Sequence, residues 1–517
     1  MGKIYKVLTL TIALTTFTGC GDDFLEITPQ GSINTESFYK TEEEVEQALF
    51  ATYDVLGHQK GVGLPYAPVI LISVMLSDDE DAGGQDAGDG FDENDLNTFN
   101  IPTGNQIVRS LWKRNYWGIY RANFTLEKLG ELENASAAFS TRIEAEAKFL
   151  RAYFHFELVS LFENVPVMTF APKGIEASII AQSTPTETYN QIASDLIDAI
   201  AGLPTSVTGS DLGRATTWAA KSLLGRVFLF RDGVYNQNME ANGTTIDAAY
   251  VLAELEDVIN NSGHDLLPDY ATVFSNAGEF SVESVFEISY SDNPPRWEWG
   301  NEERVEGNLA AQMMGPRALQ ENTHYRGWAF GTVSHKLYQD MTGDPRRDLT
   351  ILHESNIGGT VNKTFQHTGY YSNKYSTDLE AKGTSGQLEH NNTTNERIIR
   401  FSDVLLMAAE LGQNVNYINR VRQRVGLGDL ASYTENSLFN ERRMELSLEG
   451  LRYFDLLRQG ITVAEAELTV QGVRGPEYID DQALYDVTFN PATKGFLPIP
   501  QDEIDLSNGV LIQNEGY

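Results

Sequence analysis

Residues 144–167, EAEAKFLRAYFHFELVSLFENVPV, decide the predicted fold. All but the last four of them lie in a helix predicted over 141–163. Its apolar residues recur at helical spacing on one face, formed by Ile143, Ala147, Leu150 and Phe154. Three further residues widen that face, namely Phe149, Ala152 and Phe156. So broad an apolar stripe indicates a helix buried between neighbouring helices.

Further helices are predicted on both sides of this segment. Thr41 and Glu44 fit a capping box for a helix that stops at Gly57. Thr184-Pro185-Thr186-Glu187 fits a second box, with proline at the first helical position of a helix that runs to Pro204. Similar periodic stretches cover about 107–129, 215–230 and 249–259. Successive helices with short connections predict a mostly α fold of stacked helix hairpins, without a clean repeat of about 34 residues.

The later part of the chain changes character twice. Residues 264–395 are rich in Asn, Gly, Thr and aromatic residues, and only Ser284–Tyr290 alternates like a short strand. Helices are predicted again over 397–425 and 439–458, and residues 495–517 are predicted as loop. We therefore expect one domain over 41–517, with a helical scaffold over 41–263 and 396–517 and a loop-rich variable region over about 264–395.

Residues 77–95 hold nine acids, four glycines and no base, which predicts a loop. The spacing fails an EF-hand, because Asp79 and Asp81 are followed by Gly83 where an acid or Asn should stand. Five aspartates could still coordinate Ca²⁺ irregularly, namely Asp78, Asp79, Asp81, Asp86 and Asp89. The alternatives are a solvated loop and a loop that hydrogen-bonds a ligand, and we predict no cofactor.

Composition excludes several classes of function. The chain has 517 residues, of which 41% are apolar, and a formal net charge of −35. The apolar fraction is enough for a large core, so wholesale disorder is excluded. The charge argues against nucleic acid, whose binding depends on cations that neutralise phosphates. Cys20 is the single cysteine, which excludes intrachain disulfides and metal sites with two or more thiolates.

The first twenty residues explain this cysteine. Lys3 and Lys6 precede an uncharged stretch, 7–18, that is too short to span a bilayer and is typical of a secretory signal. Residues 17–20, FTGC, resemble a bacterial lipoprotein cleavage box with Phe in place of the usual Leu. Removal of 1–19 would leave Cys20 to carry lipid on a tether over 20–40. The alternative is an ordinary signal peptide with a chance cysteine.

Several blocks in a fixed order resemble the SusD/RagB family of Bacteroidetes surface lipoproteins, over nearly the full chain from Cys20 to Tyr517. The resemblance implies a tetratricopeptide-like helical scaffold with a variable loop-rich region. It also implies an outer-membrane nutrient-binding protein, usually for glycans, that acts as a lid over a SusC-like TonB-dependent transporter. The blocks are 34–56, 144–167, 213–230, 400–411, 441–460 and 496–517.

No HExxH, GxSxG or Walker motif is present, and no histidines pair at i, i+4. The blocks that carry the resemblance are interpreted as scaffold. There we expect ion pairs for Glu441, Arg442, Arg443 and Arg452. In the predicted helices we expect core packing for His155, Trp112, Trp117 and Trp218. Motif absence does not exclude a glycosidase, which needs only two carboxylates. The sequence thus favours a non-catalytic glycan binder, with a lipid-anchored all-α glycosidase and a surface binder of peptide or protein as alternatives.

Aromatic residues of the variable region are the predicted sugar contacts. Trp297 and Trp299 follow two prolines and would face the same side of an extended chain. Trp328 lies with Tyr325 in HYRGWAF, 324–330. Sugar rings stack on such faces, although the same residues could instead cover a small cluster under loops.

Polar contacts are predicted in the acidic segment, at the chain position where the family supplies ligand-contacting residues. We assign Asp78, Asp79, Asp81 and Gln85 to sugar hydroxyls, although this segment could instead face the transporter. Lesser candidates are Tyr66, Asn100 and Arg296. Because so acidic a surface repels polyanions, we expect a neutral glycan such as a glucan or mannan.

Overall fold

The computed structural model describes residues 38–61, 63–293, 307–384, 387, 390–473 and 485–517. Within these residues the protein has seventeen helices and ten short strands, so the prediction of a mostly α fold is confirmed. The helices are α1 Glu42–Gly57, α2 Val69–Met75, α3 Phe91–Asn97, α4 Gln106–Gly130, α5 Ala137–Phe162, α6 Pro185–Gly202, α7 Thr217–Tyr235, α8 Ala248–Asn261, α9 Leu309–Met314, α10 His335–Asp340, α11 Arg347–Thr350, α12 Phe401–Gly412, α13 Val415–Arg424, α14 Glu435–Leu446, α15 Arg452–Arg458, α16 Ile461–Leu468 and α17 Gln501–Leu506.

The strands form five antiparallel pairs rather than one sheet. The pairs are β1 (Glu80–Gly83) with β5 (Phe330–Val333), β2 (Met239–Ala241) with β3 (Thr244–Ile246), β4 (Ser284–Ile288) with β8 (Glu396–Arg400), β6 (Ile351–His353) with β7 (Tyr370–Ser372), and β9 (Val470–Val473) with β10 (Tyr485–Val487). The β4–β8 pair confirms the predicted strand after Ser284 and ties the loop-rich region to the scaffold.

The scaffold follows from the sequence signals. Thr41 and Glu44 form the predicted capping box at the start of α1, and Thr184 and Glu187 form the second at the start of α6, with Pro185 in the first turn. Helix α5 packs against both α4 and α6. Of the seven residues on its predicted apolar face, six are buried and Phe156 is half-buried.

Gly118 sets the distance between α4 and α5. A Cβ atom there would lie 2.4 Å from Cε2 of Phe154, so only glycine fits. We expect Gly118→Ala to lower the free energy of unfolding, because an overpacking cost of about 1–3 kcal/mol outweighs the helical preference of alanine, about 1 kcal/mol. Gly130→Ala, in the same helix with nothing within 4 Å, is the matched control and should be neutral or stabilising. Equal denaturant midpoints for the two variants would contradict this packing.

Four predicted boundaries are wrong. Residues 397–400 belong to strand β8 rather than to a helix, because they pair with β4. The helix predicted over 439–458 is two helices, since Leu448 and Gly450 take φ values of 63° and 75°. The helix predicted over 397–425 is also interrupted, since α12 ends at Gly412 and Gln413 takes a φ of 47° before α13 starts. The tail contains α17, which starts after Pro500.

Hydrogen bonds and ion pairs satisfy many buried polar groups of the scaffold. His155 is fully buried, as predicted, with Nδ1 3.0 Å from the Arg151 carbonyl and Nε2 accepting from the Met168 amide at 3.3 Å. Burial lowers its pKa to about 3. The predicted ion pairs are also present, for example Arg442 with Asp403 at 2.8 Å and Arg346 with Glu441 at 2.6 Å.

The tryptophans predicted in the core lie in the helices. Trp112 and Trp218 are buried, and Trp117 is half-buried against the core with the Arg121 guanidinium 4.4 Å from its ring centre. No helix among the described residues combines the length and the apolar character needed to cross a membrane. Cys20 and the signal over 1–19 lie outside the described residues.

Candidate functional site

The acidic segment 77–95 is only partly loop. Residues 80–83 form β1, paired with β5, and residues 91–97 form α3. The prediction of a loop is therefore wrong for these two stretches. The physical reason is that β5 and a group of scaffold arginines, both distant in sequence, supply the hydrogen bonds and charges that the segment lacks.

Asp78 and Asp79, predicted as sugar contacts, lie in a buried ion-pair cluster. Asp78 accepts from Arg452 Nε at 2.8 Å and also pairs with Arg443 and Lys336. Asp79 accepts from Arg443 Nη2 at 3.0 Å. Burial opposes ionisation, yet the charges of Arg443 and Arg452 hold the pKa of Asp78 below its ordinary value. A ligand would reach either carboxylate only by displacing these arginines. Asp78 and Asp79 therefore join the acidic segment to the scaffold rather than contact a sugar.

Glu80 is a buried acid with no ion-pair or hydrogen-bond partner for its carboxyl oxygens among the described residues. Burial, and then the charges of Asp79 and Asp81, raise its pKa well above 4.5.

This raised pKa makes the stability of the protein depend on pH. Below about pH 4.5 Glu80 is neutral in both the folded and the unfolded chain. As pH rises from there towards the pKa of Glu80 in the folded protein, the free energy of unfolding falls by about 1.4 kcal/mol per pH unit. We expect Glu80→Gln to remove this loss, so that its melting temperature exceeds that of the wild type more at pH 8 than at pH 5. An equal difference at both pH values would contradict an uncharged Glu80.

A cleft of about 610 Å³ opens beside this segment, and four other cavities of 110–250 Å³ are smaller. It lies where β1 and α3 approach the segment that leads into β5. Its lining combines apolar and polar groups, from Pro65, Tyr66, Gln85, Asp89, Gly90, Phe91, Asp92, Glu93, Gln106, Met313, Arg317, Arg326, Trp328 and Phe330. Clefts of this size and mixture are typical ligand sites.

Aromatic rings give the cleft its apolar surface. Trp328 is half-buried, with its ring centre 5.9 Å from Tyr66 at an interplanar angle of 42°. His390 supports it at 5.3 Å in an edge-on arrangement. Phe91, at the start of α3, is 64% exposed. Three rings therefore present faces or edges on which a sugar can stack.

Charged and amide groups lie beside these rings. The Arg317 guanidinium donates to the Trp328 carbonyl at 2.9 Å, to Gln85 Oε1 at 3.3 Å and to Asp89 Oδ2 at 3.4 Å. It thereby fixes one wall of the cleft to the tryptophan. Burial raises the pKa of Glu93, on the α3 wall, to about 7. Donors and acceptors thus face the cleft together, as recognition of sugar hydroxyls requires.

The backbone around the cleft is strained at particular positions. Ala329, next to Trp328, has φ of 59° although it is not glycine. Gly90, before Phe91, has φ of 125°, and a Cβ there would lie 2.6 Å from Cε1 of Phe330. Left-handed backbone at residues with side chains is costly and clusters at ligand sites. These turns orient Trp328 and Phe91.

The structure brings only some of the predicted residues together. Trp328, Gln85 and the lesser candidate Tyr66 line the cleft, whereas Asn100 is exposed outside its lining. Tyr325 is fully buried, with its hydroxyl accepting from Asn392 at 3.0 Å, and Asp81 is buried in β1. Trp297, Trp299 and Arg296 lie outside the described residues, so their assignments stay predictions.

Sequence reasoning missed Phe91, Arg317 and Gln106 as lining residues. The one available signal was Gly90-Phe91, a single apolar residue after a glycine-rich acidic stretch. In the described part of the chain, no three His, Cys, Asp or Glu side chains form a group that could hold a metal ion. The aspartates of the acidic segment that lie among the described residues therefore do not come together as a calcium site.

Two family models match the chain in its two helical blocks. The model described as "SusD family" matches residues 348–517, and the model described as "Starch-binding associating with outer membrane" matches residues 23–229. The chain belongs to the SusD/RagB family. Among its relatives is SusD-like protein P2 of Formosa agariphila, 27% identical over 548 aligned residues that cover all of both chains.

Solved structures of this SusD-like family share the architecture. A structure titled "Laminarin binding SusD-like protein" is 29% identical, with a TM-score of 0.80 over 93% of this chain and 100% of that one. Surface glycan-binding protein A from Bacteroides thetaiotaomicron, in complex with laminarihexaose, is 27% identical, with a TM-score of 0.78 over 91% and 99%. The tetratricopeptide-like scaffold with a variable region, expected from the resemblance, is thereby confirmed.

Proposed function

We propose that this SusD-like protein binds a neutral glycan in the Trp328 cleft and has no catalytic role. The observation that carries the proposal is the cleft itself, in which Trp328, Tyr66 and Phe91 lie beside Gln85 and Arg317. Aromatic faces stack on sugar rings, and fixed amide and guanidinium groups bind their hydroxyls. The titles of two similar structures, which name laminarin and laminarihexaose, support carbohydrate as the ligand class.

A neutral ligand fits the charges around the cleft. Its lining holds Arg317 and Arg326 together with the carboxyl groups of Asp89, Asp92 and Glu93, so both signs of charge are present. The whole chain carries a formal net charge of −35, which repels sulfated or uronic polymers at long range. Laminarin and laminarihexaose are uncharged glucans, which agrees with this choice.

The cellular setting is part of the same proposal. The family model for residues 23–229 carries a description of outer-membrane association, and FTGC at 17–20 resembles a lipoprotein cleavage box. We therefore place the protein on the outer-membrane surface, anchored through lipid on Cys20. There it delivers its glycan to a SusC-like TonB-dependent transporter.

Native electrophoresis through gels that contain a polysaccharide tests the ligand class. The wild-type protein should be retarded by a neutral glucan such as laminarin and should run unretarded in gels with a sulfated polysaccharide. Bovine serum albumin, also acidic, is the mobility control. Retardation by the sulfated polymer alone would contradict the proposal, and unchanged mobility in every polymer would favour a peptide or protein ligand.

One observation favours a second candidate function, glycoside hydrolysis. Glu93 lines the cleft with a pKa of about 7, near Asp89 and Asp92, and a buried acid beside a carboxylate is the arrangement of glycosidases. Incubation of the protein with laminarin and a count of new reducing ends decides between the two. We expect none. Release that Glu93→Gln abolishes would assign the chain to the enzymes.

A further inference from the structure

Phe280 is an exposed aromatic residue on a strained backbone, far along the chain from the Trp328 cleft residues. Its side chain is 39% exposed and its φ is 51°. Among the exposed large apolar residues of the described chain, it is the only one with a positive φ. Glycine would take this conformation without strain. A strained aromatic residue held outside the core points to a role for the ring itself.

The Phe280 ring lies over Gly213 at the edge of two adjoining clefts. Its Cε1 atom is 3.7 Å from where a Gly213 Cβ would stand, and it stacks on no other aromatic ring among the described residues. One cleft, of about 220 Å³, is lined by Phe280, and the other, of about 250 Å³, by Phe50. Both clefts share Leu212 and Gly213. None of their lining residues belongs to the Trp328 cleft.

The apolar part of this surface is larger than one ring. Phe50 and Leu212 line one cleft, Leu212 and Phe280 line the other, and the three side chains are 45%, 48% and 39% exposed. Contiguous exposed apolar side chains mark ligand grooves or contact surfaces. We call the surface formed by these three residues and the two clefts the Phe280 surface.

The polar lining distinguishes between possible occupants. Serine hydroxyls surround the two clefts, from Ser206, Ser210, Ser262, Ser281 and Ser289. The charged groups in both clefts already have partners inside the protein, and Asp54, which is 43% exposed, pairs with His58 at 3.0 Å and with Arg121 at 3.2 Å. Arg214 pairs with Glu146 at 2.7 Å, and Glu287 accepts from the Phe280 amide at 2.9 Å and from Ser284 at 2.6 Å.

Burial also lowers the pKa of His264, so this ring is neutral near pH 7. A surface with free hydroxyls, exposed phenylalanine rings and internally paired charges suits an uncharged ligand that offers both CH faces and hydroxyl groups. A sugar ring has that chemistry.

We propose that the Phe280 surface is a second carbohydrate-binding site, separate from the Trp328 cleft and specific for an uncharged sugar. The ligand class rests on the proposed function, but the location does not. A long glucan can occupy both sites of one chain, and the second contact is then made at high effective concentration. A short oligosaccharide fills each site separately.

Phe280→Gly tests the proposal without a folding defect, because glycine suits the positive φ. Phe170→Ala is the matched control, since Phe170 is 53% exposed and lines neither cleft. We expect Phe280→Gly to weaken retention in laminarin gels about 3- to 10-fold with an unchanged melting temperature. Calorimetric titration with laminarihexaose should show two sites in the wild type and one in Phe280→Gly. Phe170→Ala should match the wild type in both assays.

Four outcomes separate this proposal from the proposed function. One laminarihexaose site that Trp328→Ala removes, with Phe280→Gly unchanged, overturns the second site and leaves the first intact. Residual binding in Trp328→Ala that Phe280→Gly abolishes supports the second site. Wild-type protein that binds no neutral glucan overturns both, and a Phe280→Gly variant that loses only a protein partner assigns the surface to that partner.

Discussion

Glu445→Ala is expected to lower the free energy of unfolding by about 3–5 kcal/mol, because it removes the centre of a buried ion-pair cluster. The Glu445 side chain is fully buried and pairs with Arg346 and Arg400, each at 3.0 Å, and with Arg424. Without it, three buried guanidinium groups lose a shared carboxylate. Denaturant titration followed by circular dichroism measures the change.

Glu321→Ala is the control for this prediction. Glu321 pairs with Lys382 at 2.7 Å but is 52% exposed, and a surface pair contributes about 0–1 kcal/mol. The two variants lose the same side chain and differ in burial. Equal destabilisation, or a Glu445→Ala variant as stable as the wild type, would contradict the structural role given to the cluster.

The same cluster sets the response to acid. Although burial favours the neutral form, the charges of Arg424, Arg400 and Arg346 hold the pKa of Glu445 well below 4.5. A carboxyl with a lowered pKa stabilises the fold above its ordinary value and loses that contribution as pH falls. Asp403, whose pKa is lowered to about 2 by Arg226 and Arg442 in spite of burial, acts in the same direction. Glu445→Ala should therefore flatten the fall in melting temperature between pH 5 and pH 3.

Trp328→Ala is expected to weaken binding of a neutral glucan by about 30-fold or more, which corresponds to about 2 kcal/mol. The Trp328 ring lies beside Tyr66, so its loss removes a stacking face, whereas the backbone carbonyl that accepts from Arg317 is kept. Isothermal titration with laminarihexaose measures the loss in the Trp328 cleft. Trp328→Phe should recover part of it, because an aromatic face is restored.

Trp117→Ala is the matched control for Trp328→Ala. Trp117 is also half-buried, but it lies on α4 against His58 and Arg121, outside the cleft lining. Its removal should lower the melting temperature without changing affinity for the sugar. Wild-type affinity in Trp328→Ala, or an equal loss in both variants, would contradict the cleft as the glycan site.

The sequence is sufficient to predict the scaffold because its signals are local. The capping boxes at Thr41 and Thr184 and the apolar face of α5 each arise within a few turns of helix. Where a structure depends on distant partners, the prediction fails. Asp79 meets Arg443, 364 positions later in the chain, and nothing in segment 77–95 indicates that its charges are paired.

The candidate site is also predictable only in part, because some of its residues depend on distant parts of the chain. Trp328 lies in a region without helical period, which favours a ligand contact, and its half-buried ring lines the cleft while it also packs against the core. Tyr325, three residues earlier, has the same sequence context but is buried against Asn392. Phe91 reaches the cleft through the turn at Gly90, and Arg317 reaches it through the position of the segment before β5. Local sequence patterns encode neither of these features.

A crystal structure of the protein with laminarihexaose tests most directly whether the glycan binds in the Trp328 cleft, because it shows where the sugar lies. We expect glucose rings in the Trp328 cleft, stacked on Trp328 and hydrogen-bonded to Gln85 or Arg317. Sugar bound elsewhere, with the Trp328 cleft filled only by solvent at saturating laminarihexaose, would contradict it.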